Sequence, residues 1–380
     1  MAGIYIHIPF CKKACHYCNF HFSTSLALKE AFVASLLKEI ALASGFPSRT
    51  GYLEDQTVET IYFGGGTPSL LTATELNTVL LQLRSRFTIS PEAEITLEAN
   101  PDDISGFKLE EWKQAGINRL SIGVQSFFDA ELRWMNRAHT AAQSIEAIGA
   151  ARLHGFHNIT IDLIYGTPGL SHEAWEQNIT QAIELAIPHL SCYALTVEPS
   201  TALYRMIDQK KTANVDPEKQ AAQFIMLMNR LQAAGYEHYE ISNFAKAGMR
   251  SRHNSAYWQG KHYVGLGPSA HSFNGHSRQW NIANNALYIS SLQQGILPAE
   301  TEQLTPGQQL NEYIMTSLRT IEGLDLLHID HRFGAPAAAH VHKTIQKYQH
   351  SGKAEINQAK LQLTQEGKLF ADGIAADLFV

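Results

Sequence analysis

Hydrophobic and polar positions follow two alternating rhythms along the first two thirds of the chain. Short apolar runs predict strands, and the longer stretches between them repeat with helical periodicity. The predicted strands are Ile4–Ile8, Val58–Phe63, Ile95–Glu98, Arg119–Gly123, Asn158–Ile164 and Leu190–Leu195; helices are predicted at Leu26–Ala43, after a Thr72/Glu75 capping box, at Ala141–His154 and at His172–Ala186. This alternation predicts an α/β fold of parallel strands joined by crossover helices, either a barrel or an open doubly wound sheet.

The rhythm changes after the predicted helix Pro217–Ala234 and the segment Tyr236–Phe244. Residues 245–298 are rich in Gly, Asn, Ser, His and aromatic residues and show no long helical period. Beyond them, helices are predicted at Gly307–Thr320, Leu324–Phe333, Pro336–Gln349 and Lys368–Leu378, with short strands at Ala354–Ile356 and Lys360–Leu363. We therefore predict a core of residues 1–244, a connecting segment of residues 245–298, and a small winged-helix-like module of residues 299–380.

Composition narrows the possible classes of function. The 380 residues are 44% apolar and 17% charged with a net charge of −6, so nothing favours nucleic acid as a partner. No targeting peptide and no membrane-spanning apolar run is visible. The chain has four cysteines, three of them clustered, which suits metal binding in a reducing cytoplasm better than a disulfide framework. The fourth, Cys192, lies in an apolar strand and is predicted to be a buried structural thiol.

The most specific pattern is a C-x-x-x-C-x-x-C run directly after the first predicted strand, formed by Cys11, Cys15 and Cys18. A cubane iron–sulfur cluster has four irons, each of which needs one ligand from outside the cluster. Three thiolates would therefore leave one iron open to bind another molecule. The alternative is a structural zinc site completed by His7, His16 or His21, although the chain has no second C-x-x-C pair.

Polar groups mark the ends of several predicted strands. The second strand is followed by Gly64–Pro68, a glycine run that either brings backbone close to a ligand or makes a tight turn. Glu98, Gln125 and Asp162 lie at or near the ends of later strands, where a buried charge is costly unless it is paired or faces a ligand. Each could make a structural hydrogen bond, but ligands bind at the C-terminal ends of barrel strands. Together these residues predict the lining of one pocket.

These motifs resemble the radical S-adenosylmethionine (SAM) superfamily, and more closely its oxygen-independent coproporphyrinogen III oxidase-like family. The matching segments are the cysteine run with Tyr17, Tyr5–Cys11, Gly64–Pro68, Glu98–Pro101, Gly123–Ser126, Asp162–Gly166, Tyr239–Phe244 and the C-terminal module. The resemblance covers essentially the whole chain. It implies a partial (β/α)6 TIM-like radical SAM barrel with a small C-terminal winged-helix-like module.

The resemblance also implies roles for individual residues. The three cysteines would hold a [4Fe–4S] cluster whose open iron takes the amino and carboxylate groups of SAM. Further SAM contacts are implied for Tyr5, Tyr17, Gly65, Gly66, Thr67, Glu98, Gln125, Arg137, Asp162 and Ala194. An electron from the cluster could cleave SAM to a 5′-deoxyadenosyl radical, while the protein positions the cofactor and excludes competing reactions. No residue is assigned a catalytic role.

Two features depart from the oxidase. Cys18 is followed by Asn19 and Phe20, where the oxidase has a further cysteine two places after the third. Only four residues precede Tyr5, where the oxidase has a long extension. Both features match the haem chaperone branch of the family, HemW, and so does the H-N-x-x-Y-W element at His253–Trp258.

The H-N-x-x-Y-W element supplies a candidate haem site made of His253, Tyr257 and Trp258. Histidine is an established axial ligand of haem iron, and aromatic rings can pack on a porphyrin face. Alternatively, these side chains organise a loop through hydrogen bonds and packing.

We therefore predict a cytoplasmic haem chaperone that binds haem, the cluster and SAM. It would deliver haem to haem-requiring respiratory proteins, some of them membrane-associated, and could form a homodimer. The alternative is a radical SAM oxygen-independent coproporphyrinogen III oxidase of porphyrin biosynthesis, and a third hypothesis is another radical reaction. Whether the chain is an enzyme stays open at this point.

Overall fold

The computed structural model describes residues 2–43, 52–53 and 56–380. The strands are β1 (Ala2–Ile8), β2 (Val58–Gly65), β3 (Ile89–Ala99), β4 (Arg119–Gln125), β5 (Ile159–Tyr165), β6 (His189–Ala194), β7 (Glu237–Glu240), β8 (Asn243–Ala245), β9 (His262–Leu266), β10 (His271–Phe273), β11 (Ser277–Asn281), β12 (Ala299–Gln303), β13 (Leu324–Asp325), β14 (Ala354–Asn357) and β15 (Lys360–Leu363). The helices bounded within these residues are Lys29–Ala43, Ala73–Arg86, Gly106–Ala115, Asp129–Trp134, Ala141–Leu153, His172–Glu184, Ala202–Asp208, Pro217–Ala233, Arg252–Trp258, Asn285–Gln293, Pro306–Leu318, Leu326–Phe333, Ala335–His350, Gln365–Lys368 and Ala371–Leu378.

One large sheet organises the main body, in the order β12-β11-β10-β9-β1-β2-β3-β4-β5-β6-β8-β7. Strands β1 to β6 pair in parallel, each with the next, and helices connect them. The sheet is open, because β12 and β7 form its two edges. The predicted α/β class and the partial barrel are therefore confirmed.

The central strands read as apolar runs because both of their faces are buried. In β1, Ile4, Ile6 and Ile8 are fully buried, and helix Lys29–Ala43 contributes Leu36 and Ile40 to the same core. Helix Ala73–Arg86 begins at the predicted capping box, in which Thr72 and Glu75 bond each other's backbone N–H groups. Tertiary packing and local capping signals agree here, which is why these boundaries were predictable.

Residues 245–298 are not an extended connector. They contain β9, β10 and β11, and β9 pairs in parallel with β1, so this segment extends the main sheet beyond the barrel strands. Strand β12 also belongs to that sheet, through its antiparallel pairing with β11. Helix Arg252–Trp258 packs against the early residues of β1 and β2. This segment therefore packs against the barrel strands β1 and β2.

The C-terminal module has an apolar core of its own and a three-stranded sheet in the order β13-β15-β14. Three helices, Pro306–Leu318, Leu326–Phe333 and Ala335–His350, precede the β14–β15 hairpin, in the predicted order. The module contacts the barrel at the β7 turn, where the Ile241 N–H donates to the Arg319 carbonyl at 3.0 Å. None of the helices that the structure describes is long and apolar enough to cross a bilayer.

Candidate functional site

A cavity of about 410 Å³ opens at the carboxyl ends of the parallel strands. Parallel strands all end at the same rim, so residues that are distant in sequence meet there. The cavity is lined by all three clustered cysteines and by nine of the ten predicted SAM-binding residues: Tyr17, Gly65, Gly66, Thr67, Glu98, Gln125, Arg137, Asp162 and Ala194. The volume and the mixed polar and apolar lining suit a small organic cofactor.

The cysteine loop is fixed at several points. The Cys11 N–H donates to the Ser23 carbonyl at 3.0 Å, and the Cys18 N–H donates to the Cys15 carbonyl at 3.3 Å. Asn136 holds the loop from the other side through a 2.8 Å hydrogen bond from its amide to the Ala14 carbonyl. The three thiols are free and partly exposed to the cavity. The loop is therefore ordered around its thiols by backbone hydrogen bonds and by the side chain of Asn136.

Burial makes two of the cavity thiols less acidic than usual. Burial raises the pKa of the Cys11 thiol to about 11 and also raises that of Cys18. A bound cation would reverse this effect, because metal coordination deprotonates thiols. Among the described residues, no three His, Cys, Asp or Glu side chains are gathered closely enough to hold a single ion. Three thiolates can hold a cubane cluster with one open iron, or a zinc ion if a fourth ligand joins them.

Arg137 joins the cysteine loop to the strand ends. Its guanidinium donates to the Cys15 sulfur at 3.3 Å, to Asn100 Oδ1 at 2.6 Å and to the Gly123 carbonyl at 3.0 Å. Its Nε is buried without a hydrogen-bond partner. A buried orphan donor is rare in folded proteins and is suited to an anionic ligand group in the cavity.

The glycine run at the end of β2 packs closely against β1. Gly65 has φ +104°, and a Cβ there would lie 2.5 Å from Nδ1 of His7. A Cβ on Gly66 would lie 2.6 Å from the carbonyl oxygen of Phe10, at the start of the cysteine loop. Gly64 and Gly65 are the last residues of β2, and Gly65 and Gly66 bring backbone without side chains to the cavity wall.

Two partly buried acids, Glu98 and Asp162, line the cavity, and the charge of Asp162 acts on Glu98. Burial, with the charge of Asp162 as a second cause, raises the pKa of Glu98 to about 8. Burial raises the pKa of Asp162 to about 7. Glu98 accepts hydrogen bonds from the Tyr62 hydroxyl at 2.8 Å and from the Gly65 N–H at 3.2 Å. The charges of Arg119 and Arg137 partly offset this effect at Asp162, whereas no cation offsets it at Glu98. Carboxyls whose pKa values are raised in this way are typical of ligand-binding sites.

Gln125 reaches the cavity through a local irregularity of β4. The pairing of β4 with β5 shifts register between Ile122 and Gln125, and Gln125 has φ +66°. A non-glycine residue in this conformation is strained, and such strain concentrates at functional sites. The bulge places a polar side chain on the cavity wall at the point where the strand ends.

Tyr5 is the one predicted SAM-binding residue outside the cavity lining. Its ring lies behind the wall, stacked 6.1 Å from Tyr62 and 6.5 Å from His253 between ring centroids. Conversely, Tyr62, Asn100 and Tyr193 were not predicted. Asn100 and Tyr193 line the cavity, and Asn100 lies two residues after Glu98 while Tyr193 precedes Ala194, which is the signal that could have found them.

The candidate haem residues lie away from the cavity, on helix Arg252–Trp258. His253 is only 2% exposed, and both ring nitrogens are hydrogen-bonded, Nδ1 to the Thr60 hydroxyl at 2.8 Å and Nε2 to the Tyr257 hydroxyl at 2.9 Å. Trp258 packs under the Arg319 guanidinium, 5.1 Å from its ring centroid. The structure therefore brings the cluster and SAM residues together and holds the candidate haem residues apart from them.

The chain is similar to known proteins along its whole length. Residues 5–182 match the family model of the radical SAM superfamily, and residues 304–370 match the HemN C-terminal domain. The heme chaperone HemW of Bacillus subtilis (strain 168) is 34% identical over 382 residues, 98% of each chain. The HemW of Mycobacterium tuberculosis (strain H37Rv) is 34% identical, covering 99% of this chain and 94% of the relative.

Among solved structures, the chain resembles coproporphyrinogen III oxidase (HemN) from Escherichia coli, a radical SAM enzyme. The TM-score is 0.84 and the sequence identity is 24%, over 100% of this chain and 90% of that one. At this identity the likeness shows the fold alone. It confirms the predicted radical SAM barrel together with its C-terminal module.

Proposed function

This chain belongs to the HemW family within the radical SAM superfamily, and from that membership we propose that it is a haem chaperone. It binds haem and delivers it to haem-requiring proteins of respiration. The observation that carries the proposal is the extent of the similarity, because relatives named heme chaperone match 98% to 99% of the chain, barrel and module alike. A fold shared with an oxidase does not by itself assign a function.

The proposal includes a [4Fe–4S] cluster and SAM as resident cofactors. The three cavity cysteines would hold the cluster, which supplies an open iron for the amino and carboxylate groups of SAM. Arg137 lies beside Cys15 and would pair with the SAM carboxylate, while Glu98 and Asp162 would accept hydrogen bonds from the rest of the cofactor. The cavity carries free thiols, an arginine N–H without a hydrogen-bond partner, and two acids whose pKa values are raised, and this set of groups fits a cofactor that carries both positive and negative charges.

The remaining proposed SAM contacts surround these charged groups. Bare backbone at Gly65 and Gly66 allows close approach of the methionine end, and the lining side chains of Tyr17, Thr67, Gln125 and Ala194 complete the cavity wall. Tyr5 would act from behind the wall, through its stacking on Tyr62. In this proposal the protein binds and orients the cofactor and limits the access of water to it.

Haem binding at His253, Tyr257 and Trp258 stays a prediction. Both nitrogens of the His253 ring are hydrogen-bonded, so iron ligation would require one of these hydrogen bonds to break. The proposal also includes haem acceptor proteins, some of them at a membrane. It further includes a cytoplasmic location and a homodimeric state. No nucleic acid partner is part of it.

The test is anaerobic reconstitution of the full chain with iron and sulfide, followed by a haem titration read by absorbance. We expect a shifted Soret band that saturates near one haem per chain. A Soret band identical to that of free haem at micromolar protein contradicts the chaperone assignment. Iron and sulfide analysis of the same samples tests the cluster independently of the haem result.

The second candidate is coproporphyrinogen III oxidase activity, which the cavity favours because its cysteines, Arg137 and paired acids are all in place. The same reconstituted protein, incubated with coproporphyrinogen III, SAM and a reductant, distinguishes the two. Vinyl product together with 5′-deoxyadenosine supports the oxidase. Haem uptake without any porphyrin conversion supports the chaperone, and deoxyadenosine alone points to another radical reaction.

A further inference from the structure

Three stacked rings, which we call the ring cluster, lie between the cavity and the backbone of helix Arg252–Trp258. They are Tyr5 of β1, Tyr62 of β2 and His253 of the helix. Tyr62 and His253 are 5.0 Å apart between centroids with an interplanar angle of 24°, and Tyr5 stacks on both. The cluster lies directly behind Glu98, because the Tyr62 hydroxyl donates to Glu98 Oε1 at 2.8 Å.

His253 is held rigidly within this cluster. Its Nδ1 bonds the Thr60 hydroxyl and its Nε2 bonds the Tyr257 hydroxyl, so the ring cannot rotate without losing a hydrogen bond. Its backbone N–H donates to Glu94 Oε1 at 3.1 Å, which fixes the start of the helix. Gly3 leaves just enough space for this arrangement, since a Cβ there would lie 2.9 Å from the Thr60 oxygen and 3.4 Å from the His253 ring.

From this geometry we propose that His253 is a positioning residue of the cavity: it holds the Tyr62 ring so that the Tyr62 hydroxyl orients Glu98 for SAM. The proposal rests on the proposed function for the identity of SAM. It gives the H-N-x-x-Y-W element a role toward the cofactor that does not require contact with haem.

The physical reason is that Glu98 has few other restraints. Its two hydrogen-bond donors are the Tyr62 hydroxyl and the Gly65 N–H, and the neighbouring acid Asp162 repels it when both are ionised. Without the phenol, one carboxylate oxygen would lose its donor and the side chain could turn within the cavity. The phenol is in turn aimed by the ring on which it stacks. The chain of contacts therefore runs from His253 through Tyr62 to Glu98.

Haem ligation and positioning predict opposite results for His253 variants. An axial ligand would change the haem spectrum and leave SAM affinity alone. A positioning residue changes SAM affinity and leaves the haem spectrum alone. Burial to 2% exposure and two satisfied ring nitrogens favour the second outcome.

The test uses full-length, anaerobically reconstituted protein, with SAM affinity measured by calorimetry and haem binding by absorbance. Tyr62→Phe removes only the hydroxyl and should weaken SAM binding about tenfold, the usual effect of one hydrogen bond to a charged group. His253→Ala should weaken it by a similar factor. His253→Asn, which keeps a partner for Thr60, should recover part of the affinity. None of the three should move the Soret band.

A double variant separates positioning from general damage. Because His253 acts through Tyr62, the combined Tyr62→Phe and His253→Ala variant should bind SAM no more weakly than the worse single variant, not a hundredfold more weakly as independent effects would give. Tyr236→Phe is the matched control, since Tyr236 is a buried tyrosine whose hydroxyl donates to the Ile187 carbonyl, outside the cavity lining. It should bind SAM within about twofold of the unmodified chain.

Several outcomes would overturn the proposal. Tyr62→Phe that binds SAM as tightly as the unmodified chain removes the link to Glu98. His253→Ala that loses the Soret shift but keeps SAM affinity reassigns His253 to haem. An unmodified chain that loads its cluster but does not bind SAM also rejects it. If instead SAM binds and haem does not, the chaperone function fails while the positioning test stays decisive. Should His253→Ala fail to fold, Tyr62→Phe carries the test.

Discussion

Two glutamates near strand ends of the same sheet, Glu240 buried and Glu98 partly buried, have opposite surroundings. Glu240, 1% exposed at the end of β7, accepts hydrogen bonds from Arg319 Nε at 3.0 Å and from Asn243 Nδ2 at 2.6 Å. Glu98, near the end of β3, has only the neutral donors of Tyr62 and Gly65 and faces a second acid. One acid is paired with a cation of the fold, and the other has only neutral hydrogen-bond donors.

The difference shows how a structural acid can be told from a binding acid. Taking a carboxylate out of water is costly, so a fold that buries one for stability also buries its cation and hydrogen-bond donors. An acid that stays uncompensated destabilises the empty protein, and it is retained where a ligand provides the compensation. Glu240 fits the first case, joining barrel and module, and Glu98 fits the second.

The largest effect is expected at the thiols, where a substitution should abolish cluster binding and leave the fold intact. Cys15→Ala removes one cluster ligand and the sulfur beside Arg137, so iron and sulfide per chain should fall to near zero. The buried Cys192, 1% exposed, is the matched control. Cys192→Ala should keep iron and sulfide but lower the free energy of unfolding by about 1 kcal/mol. A Cys15→Ala chain with full iron and sulfide contradicts the cluster assignment.

Removing the partner of Glu240 should lower the stability of the ligand-free protein, whereas neutralising Glu98 should not. Arg319→Met leaves Glu240 buried and unpaired and should lower the free energy of unfolding by about 3 kcal/mol in urea denaturation. Glu98→Gln removes an acid that faces another acid, so ligand-free stability should stay the same or rise, while SAM binding falls. Adding Glu240→Gln to Arg319→Met should restore part of the loss. Equal losses for Arg319→Met and Glu98→Gln would remove the distinction.

The pH dependence of stability sharpens the same comparison. Burial raises the pKa of Glu98 to about 8 and that of Asp162 to about 7, whereas unfolded chains release these protons near pH 4. Between about pH 4 and pH 8 the folded state therefore holds protons on these two acids that the unfolded state has lost, and their contribution to the free energy of unfolding falls as the pH rises.

Glu98→Gln should flatten this fall, because one of the two retained protons is gone. Thermal melts of the ligand-free chain and the variant at matched pH values provide the measurement. The histidines are the same in both chains, so their titration cancels in the difference. Parallel curves for the two proteins would show that Glu98 titrates normally.

The sequence predicted the parallel strands well and the added strands poorly. Strands β2 and β4 begin at the predicted Val58 and Arg119, because strands buried on both faces read as apolar runs. Strand β11, with the sequence Ser-Arg-Gln-Trp-Asn, carries polar side chains on both faces and gives no such signal. Its Ser277 and Gln279 are buried all the same, and the Ser277 hydroxyl bonds the distant Tyr52 hydroxyl at 2.9 Å. No local pattern could reveal that partner.

The candidate site was predictable as a group but not in its supporting contacts. The cysteines, Glu98 and Asp162 meet in one cavity because parallel strands end at a common rim, which follows from topology. The bond from Tyr62 to Glu98 depends on the register of β2 against β3, which the apolar runs do not fix. The stacking of His253 on Tyr62 depends on where a distant helix packs.

The smallest effect is expected where Arg319 meets its second acid. The guanidinium that pairs with buried Glu240 also donates to Asp372 Oδ1 at 2.9 Å, and the Asp372 side chain is 86% exposed. Solvent screens that pair, so Asp372→Asn should cost only about 0.3 kcal/mol, and this loss should vanish at high salt. Urea denaturation of Asp372→Asn and Arg319→Met at low and high salt makes the comparison on one arginine. If Asp372→Asn costs as much as Arg319→Met, burial does not explain the difference between Glu240 and Asp372. The distinction between Glu240 and Glu98 would then need another cause.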